Sequence, residues 1–276
     1  MIPDWLGAAR QAAQALSAML AERPTIAERV VETGERGEGG DRTLEIDAAA
    51  ERAVFAELER LHDAGARFTV VSEERGTVDY GGNGTLVIVD PIDGSLNAKR
   101  GMTHHALSIA VSEGPTMADV VFGYVYDFGS GEEWTAERGR GAYLNGERLG
   151  AVKPKGEIEI LSFEATTTAQ VAEKAAQMVG SAHRLRIMGS LAISLCHLAD
   201  GRVDGVCSLK PARAVDIAAA QLLVRERGLA IDLPEKPPFG EAPLDLEGRS
   251  RVVAAGTGAL CAQIAANTVR AYGSWD

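Results

Sequence analysis

Asp90 and Asp93 lie three residues apart in "DPIDGSLN" (90–97), which follows directly on the apolar run "TLVIVD" (85–90). A turn after a buried strand needs the proline and the glycine, but it does not need two acids. Other carboxylates share the same setting: Asp47 heads a predicted helix, Glu73 and Glu74 close a predicted strand, and Asp216 opens another helix. Acids gathered at strand ends repel one another unless a cation lies between them. Oxygen donors with no accompanying His or Cys select Mg²⁺, Mn²⁺ or Ca²⁺ over zinc.

The turn itself suits such a role. Pro91 fixes the exit from the strand, Ile92 can turn its carbonyl toward an ion, and Gly94 lets the backbone approach a ligand closely. A short helix beginning at "GSLN" would aim free N–H groups and the Ser95 hydroxyl into the same pocket, an arrangement that favours phosphate. Divalent ions beside a phosphate cradle amount to metal-assisted phosphoryl hydrolysis. Each piece alone has a plainer reading. D-P-x-D-G makes a turn with Asp93 as a cap, Asp47 or Asp216 serves as an N-cap, and "SEE" is a solvated strand end. The joint occurrence of all of them is what points to shared ligands.

The elements that must position these groups can be read from periodicity. Trp5, Ala8, Ala9, Ala12, Leu16, Met19 and Leu20 recur at helical spacing, and Ala50, Val54, Leu58 and Leu61 mark a second helix. Between them "ETGERGEGGDRT" (32–43) has four glycines and no apolar anchor, which predicts a mobile loop. "RFTVVSEERG" (67–76), "TLVIVD", "ALSIAVSEG", "DVVFGYVYDF" and "EEWTAERGRGAYLNGERL" follow as strand-like segments, with Asn145-Gly146 as a hairpin turn. Helices followed by a largely antiparallel sheet predict an α+β part over residues 1–153, which carries most of the acids.

Over residues 154–276 strands and helices alternate, from "IEILSFEA" through "SLAISLCHLADG" and "VDGVCSL" to "AVDIAAAQLLVRERG" and "RVVAAG". That rhythm predicts an α/β unit, which contributes Asp216.

The 276 residues can bury a substantial core as one large domain or two of ordinary size. Twenty-eight basic against 39 acidic residues leave a net charge of -11, which argues against a nucleic-acid partner. Cys196, Cys207 and Cys261 are too few and too scattered for a disulfide framework or a zinc site, and they read as buried free thiols. "MIPDWLGAARQAAQALSAML" is an amphipathic helix and neither a signal peptide nor a membrane span, so a cytoplasmic chain with no membrane partner is expected.

The ordered set "EIDAAAE" (45–51), "VVSEERG" (70–76), "VIVDPIDGSLN" (87–97) and "RAVDIAAAQLLV" (213–224) resembles the inositol monophosphatase and fructose-1,6-bisphosphatase superfamily, as does "RIMGSLAISLCHLADGRVDG". The resemblance spans about residues 40–255. Ser95 and "RAVDIA" make it most similar to the archaeal-type enzymes that accept both substrates. It implies a five-layer αβαβα sandwich with the site between its halves, two to three Mg²⁺ ions for which Mn²⁺ can substitute, and a homodimer. It also implies that Glu73, Asp90 and the Ile92 carbonyl hold a first ion, and that Asp90, Asp93 and Asp216 hold a second. A third, weaker ion would rest on Glu73 and water. Asp47 and Ser95 would orient and deprotonate water, Gly94 and Ser95 N–H groups would bind phosphate, and Gly189 and Ser190 would face a sugar or polyol. Two departures concern the substrate. Val215 stands where many animal inositol monophosphatases carry Trp, and the glutamate expected on an inositol hydroxyl is missing just ahead of this segment.

A bisphosphate needs a second cationic cradle, for which Arg186, Lys210 and Arg213 are the candidates. Lys99 and Arg100 read as exposed, and His104 and His105 as packing residues. The expected reaction is hydrolysis of fructose-1,6-bisphosphate, inositol-1-phosphate or both, without a covalent intermediate. The alternatives are a phosphatase of the same fold for 3′-phosphoadenosine-5′-phosphate or histidinol phosphate, or a non-catalytic accessory factor of the kind found among bacterial relatives.

Overall fold

A computed structural model describes residues 3–36, 42–82, 84–153, 155–164, 166–235 and 238–269. The chain opens with α1 (Trp5–Ala21) and the single turn α2 (Ile26–Arg29), followed by strands β1 (Glu32–Arg36) and β2 (Arg42–Leu44) and helix α3 (Glu45–Asp63). Strands β3 (Phe68–Ser72), β4 (Gly76–Tyr80) and β5 (Leu86–Asp93) lead to the short helix α4 (Ser95–Lys99). Five further strands complete the first sheet: β6 (Ala106–Ser112), β7 (Val120–Asp127), β8 (Glu133–Glu137), β9 (Gly141–Leu144) and β10 (Glu147–Arg148). Its order is β10-β9-β8-β7-β6-β5-β3-β4. The β3/β5 pair is parallel and its other described pairs are antiparallel.

The second half alternates as expected: β11 (Ile158–Glu164), α5 (Thr168–Gln177), β12 (Ala182–Arg186), α6 (Leu191–Asp200), β13 (Gly205–Ser208), α7 (Ala214–Glu226), β14 (Ala230–Asp232), β15 (Val253–Ala255) and α8 (Gly258–Val269). The sheet order is β12-β11-β13-β15-β14, parallel through the first three strands and antiparallel at β15 and β14.

Side chains that alternate along each strand explain the layering, because successive residues face opposite sides of a sheet. Val87, Val89, Leu107 and Ile109 pack with Phe68 and Val70 against the apolar stripes of α1 and α3. Ile88, Ala106 and Ala110 point the other way, into a core shared with α6, α7, Val206 and Ala254. The far face of the second sheet, with Leu161, Phe163 and Val253, packs on Met178, Cys261 and Ile264 near α5 and α8. The result is a five-layer αβαβα sandwich. Helix α7 belongs to the second half in sequence, yet it lies on β5, β6, β7 and β8 of the first sheet. That placement carries Asp216 across to Asp90.

Two local readings change. Residues 32–43, predicted as a mobile loop, include β1 and β2 paired antiparallel with Glu32 opposite Leu44, while 37–41 lie outside the described residues. The paired segments are too polar for an apolar pattern to reveal them. β4 and β14 are additional edge strands, whose short runs carry little periodicity. The Asn145-Gly146 turn does join β9 to β10, with φ of 51° and 80° as a tight hairpin turn requires. Cys196, Cys207 and Cys261 are buried free thiols. Among the described residues no helix is long and apolar enough to cross a membrane.

Close approach of α7 to the sheet depends on Gly123 of β7, where an added methyl group would lie 2.5 Å from the Ala219 carbonyl oxygen. Backbone cannot yield there as a flexible side chain could. Gly123→Ala is therefore expected to destabilise the fold by about 1–3 kcal/mol, the usual cost of overpacking. Chemical denaturation of the variant checks this, and an unchanged midpoint would show that α7 can slide.

Candidate active site

Three elements from two layers deliver the acids. Glu73 sits in the tight turn between β3 and β4, where Ser72 pairs with Gly76. Asp90 lies on β5 just before its ladder with β6 becomes irregular, between Asp90 opposite Ser108 and Asp93 opposite Ala106. Pro91 falls in that gap, since it has no N–H to give to a neighbouring strand. Asp216 stands in the first turn of α7. Carboxylate oxygens of Glu73, Asp90 and Asp216 all come within 4.8 Å of one another.

Burial makes this costly. Asp90 is only 2% exposed, and its carboxyl is pushed well above the usual range by burial first and then by Glu73, Asp93 and Asp216. Its Oδ1 accepts the Ile92 N–H at 3.0 Å, which holds the turn closed over it. Glu73 is also raised, chiefly by burial, with Arg213 opposing the shift. Nη1 of Arg213 lies 2.6 Å from Glu73 Oε1, and its Nη2 lies 3.2 Å from Asp216 Oδ1. Asp216 Oδ2 also accepts the Arg213 backbone N–H at 2.7 Å, so this acid caps its helix as well as joining the cluster. Burial alone would lower the Arg213 pKa, but Asp216, Glu73 and Asp90 together raise it.

Asp93 is turned toward the other half of the molecule. Its Oδ2 accepts the Ser190 hydroxyl at 2.5 Å and the Ala192 N–H at 2.7 Å, at the start of α6. Burial, countered by the Ser190 hydroxyl, raises its pKa to about 7. Gly94 has φ of +86°, and a methyl group on it would lie 2.7 Å from the His104 carbonyl oxygen and 2.9 Å from that of Gly189. The backbone of the acid turn thus meets the backbone of the Gly189 turn, with Ser190 beside it. Ser95 begins α4. Lys99, at the end of that helix, places Nζ 3.6 Å from Asp47 Oδ2 in the first turn of α3, rather than pointing to solvent.

The remaining cationic candidates stand elsewhere. Lys210 is exposed between β13 and α7, and Arg186 is exposed at the end of β12, where it donates to the Leu185 carbonyl. His105 is buried and stacks on Phe128, while the carbonyl of His104 accepts a hydrogen bond from Asn97.

Two supporting residues received no role from the sequence. Glu51 is buried on α3, where it accepts the Ser72 hydroxyl and the Arg75 N–H, the latter at 3.0 Å, and so fixes the turn that carries Glu73. The signal was available: Glu51 lies one helical turn after Asp47, among the apolar positions Ala50 and Val54. Asn97, within the quoted turn, donates to the His104 carbonyl at 2.9 Å and the Met188 carbonyl at 2.7 Å.

Hard, buried oxygen donors with a single guanidinium against them fit a divalent cation. The chain matches the inositol monophosphatase family over residues 3–272. It belongs to that family. It is 36% identical over 216 residues, 78% of each chain, to a fructose-1,6-bisphosphatase/inositol-1-monophosphatase of Thermococcus kodakarensis. The protein of that name from Archaeoglobus fulgidus is 31% identical over 91% of this chain and 93% of its own. The Nus factor SuhB of Escherichia coli is 33% identical over 72% of this chain and 73% of its own. In fold, the chain is similar to the crystal structure of an inositol monophosphatase-fructose 1,6 bisphosphatase, with a TM-score of 0.81 and 23% identity, covering 96% of this chain and 99% of that one.

Carboxyls with raised pKa values make the metal-free fold less stable as pH rises. Between the ordinary Asp value of 3.8 and about 7, folded Asp93 keeps a proton that the unfolded chain has lost. Its share of stability is thus present at low pH and disappears as pH rises through about 7. Asp90 acts in the same direction. In chelator, Asp90→Asn is expected to raise the melting temperature at neutral pH by about 2–4 °C, the effect of roughly 1 kcal/mol at this size. The gain should shrink toward pH 4. Scanning calorimetry across pH checks this, and a lower melting temperature at pH 7.5 would contradict it.

Proposed function

We propose that the protein is a Mg²⁺-dependent phosphomonoesterase that hydrolyses a small sugar or polyol phosphate, fructose-1,6-bisphosphate and inositol-1-phosphate being the first choices. The observation that carries this reading is the meeting of Glu73, Asp90 and Asp216 beside the Gly94–Ser95 turn. Their donor chemistry suits Mg²⁺ or Mn²⁺. Relatives named as fructose-1,6-bisphosphatase/inositol-1-monophosphatase support the choice of substrates.

Glu73, Asp90 and the Ile92 carbonyl would hold one ion, and Asp90, Asp93 and Asp216 a second. When bound, these ions supply positive charge to the phosphate oxygens and ready water for attack near neutral pH. The chain's own groups do the rest. The Asn97 and Ala98 N–H groups of α4 donate to the Gly94 carbonyl at 2.9 and 3.2 Å, which leaves the N–H groups of Gly94 and Ser95, before the first helical bond, to face phosphate oxygens. Ser95 and Asp47 orient the water and take its proton, which rests on the Asp47 carboxylate beside Lys99. The water oxygen bonds to phosphorus as the P–O ester bond breaks; a second solvent water protonates the leaving oxygen, Asp47 returns its proton to the hydroxide so formed, and the alcohol departs with no phosphoenzyme. Gly189 and Ser190 line the side from which the sugar or polyol approaches.

A second reading has support from the relatives named Nus factor SuhB: an accessory protein whose role is macromolecular binding. The net charge of -11 weighs against direct nucleic-acid contact, and the full acid set favours catalysis. One set of assays separates the two. Phosphate release would be measured in Mg²⁺ with fructose-1,6-bisphosphate, inositol-1-phosphate, 3′-phosphoadenosine-5′-phosphate and histidinol phosphate. Turnover of one of the first two is expected, with Asp47→Asn and Asp216→Asn each losing about 10²–10⁴-fold in kcat, the range for proton-transfer and charge-stabilising groups. Lys210→Ala should raise KM for the bisphosphate alone. Near-wild-type activity in Asp216→Asn would sink the metal assignment. No phosphate from any substrate, combined with tight macromolecular binding, would favour the accessory reading.

A further inference from the structure

Glu164, the last residue of β11, is only 1% exposed, and among the described residues no Lys or Arg pairs with it. Its carboxylate is met by four donors. Oε1 accepts the Ser162 hydroxyl at 2.8 Å, the Ser194 hydroxyl at 2.7 Å and the Met188 N–H at 3.3 Å. Oε2 accepts the Gly189 N–H at 2.8 Å. Such a group is an expensive way to fill space, since an apolar side chain would need none of these partners. What it grips is the turn Met188–Gly189–Ser190.

That turn is gripped from its other side as well. Asn97 holds the Met188 carbonyl, Ser190 donates to Asp93, and the Gly189 carbonyl would lie 2.9 Å from a methyl group on Gly94. Gly189 itself has φ of +90°, and a methyl group there would come within 2.8 Å of Asn97 Nδ2. The start of α6 therefore sits between two carboxylates, Asp93 from the first sheet and Glu164 from the second. Moving the turn by even 1 Å would shift both Ser190 and the carboxylate it orients.

We propose that Glu164 is a positioning residue, which fixes the 188–190 turn so that Ser190 meets both substrate and Asp93. The inference rests on the phosphatase reading for its kinetic test. Its defining property is reach and not charge, and two substitutions separate these. In Glu164→Gln the amide oxygen can keep the Gly189 N–H, while the NH₂ donates to Ser162 and Ser194, whose hydroxyls can also accept. Only the long Met188 contact loses its acceptor. Glu164→Asp keeps the charge but withdraws the carboxylate from Gly189.

Steady-state kinetics in Mg²⁺ should show Glu164→Asp raising KM by about tenfold or more with kcat changed less than about threefold, as for lost substrate positioning. Glu164→Gln should stay within about threefold of wild type in both. The rise in melting temperature on adding Mg²⁺ should roughly halve in Glu164→Asp and persist in Glu164→Gln, because Asp93 depends on Ser190. Wild-type KM in Glu164→Asp, or equal damage from Glu164→Gln, overturns the proposal. If Glu164→Asp does not fold, Ser194→Ala removes one support and leaves Glu164 in place. KM should then rise about threefold, and an unchanged KM counts against the role. An inert wild type refutes the phosphatase reading instead, and the Mg²⁺-induced shift in melting temperature then decides the role of Glu164.

Discussion

Carboxylates held against one another where two halves of a fold meet set the terms for everything around them. At 4.8 Å or less, each pair among Glu73, Asp90 and Asp216 costs at least about 3.5 kcal/mol when both are ionised, at an effective dielectric of about 20, which helps push the Asp90 carboxyl up. A hydrogen bond returns roughly 0.5–1.5 kcal/mol. No single contact can hold such a cluster, so the layers must. Asp90 is carried on a central strand packed on both faces, and Asp216 on a helix buried on almost every side. The small residues Ala218, Ala219 and Ala220, opposite Gly123, let that helix come close enough to place Asp216 beside Asp90.

Each acid also has a keeper that leaves it usable. Glu51 braces the turn behind Glu73 without touching the cluster. The Ile92 N–H takes one oxygen of Asp90 and leaves the other. Ser190 and Ala192 occupy one oxygen of Asp93. Asp216 spends its contacts on the Arg213 backbone and guanidinium. Groups that support ligands from behind typically matter almost as much as the ligands themselves. Here they come from three different layers, so the site exists only when the whole sandwich is assembled.

How much of this could be read from the sequence depends on the range of the interaction. Asp90, Asp93 and Gly94 are legible because strand, proline and glycine fix their relations within five residues. The helices showed as apolar stripes, and the alternation after residue 153 showed the second sheet. β1 and β2 were invisible, since their sequences are too polar to show an apolar alternation. Glu164 was unreadable for another reason. Its partners at 188, 189 and 194 are brought in by the turn after β12 and by α6, and no local signal marks a buried acid at a strand end.

Arg213 shows where sequence reasoning about charge meets its limit. Counting cations ahead of Asp216 suggests a cradle for a second phosphate, and Lys210 remains exposed enough for that. Arg213 is three residues closer and is drawn in by Glu73 and Asp216. One positive charge among four acids leaves a site that would repel an anion, so an anionic ligand could be attracted there only through a cation held by those acids. Arg213 is thus taken up in aligning carboxylates, with Nη1 on Glu73 and Nη2 and the backbone N–H on Asp216. Lys210 and Arg186 stay exposed, whereas the Gly189–Ser190 turn meets the acids directly through Asp93.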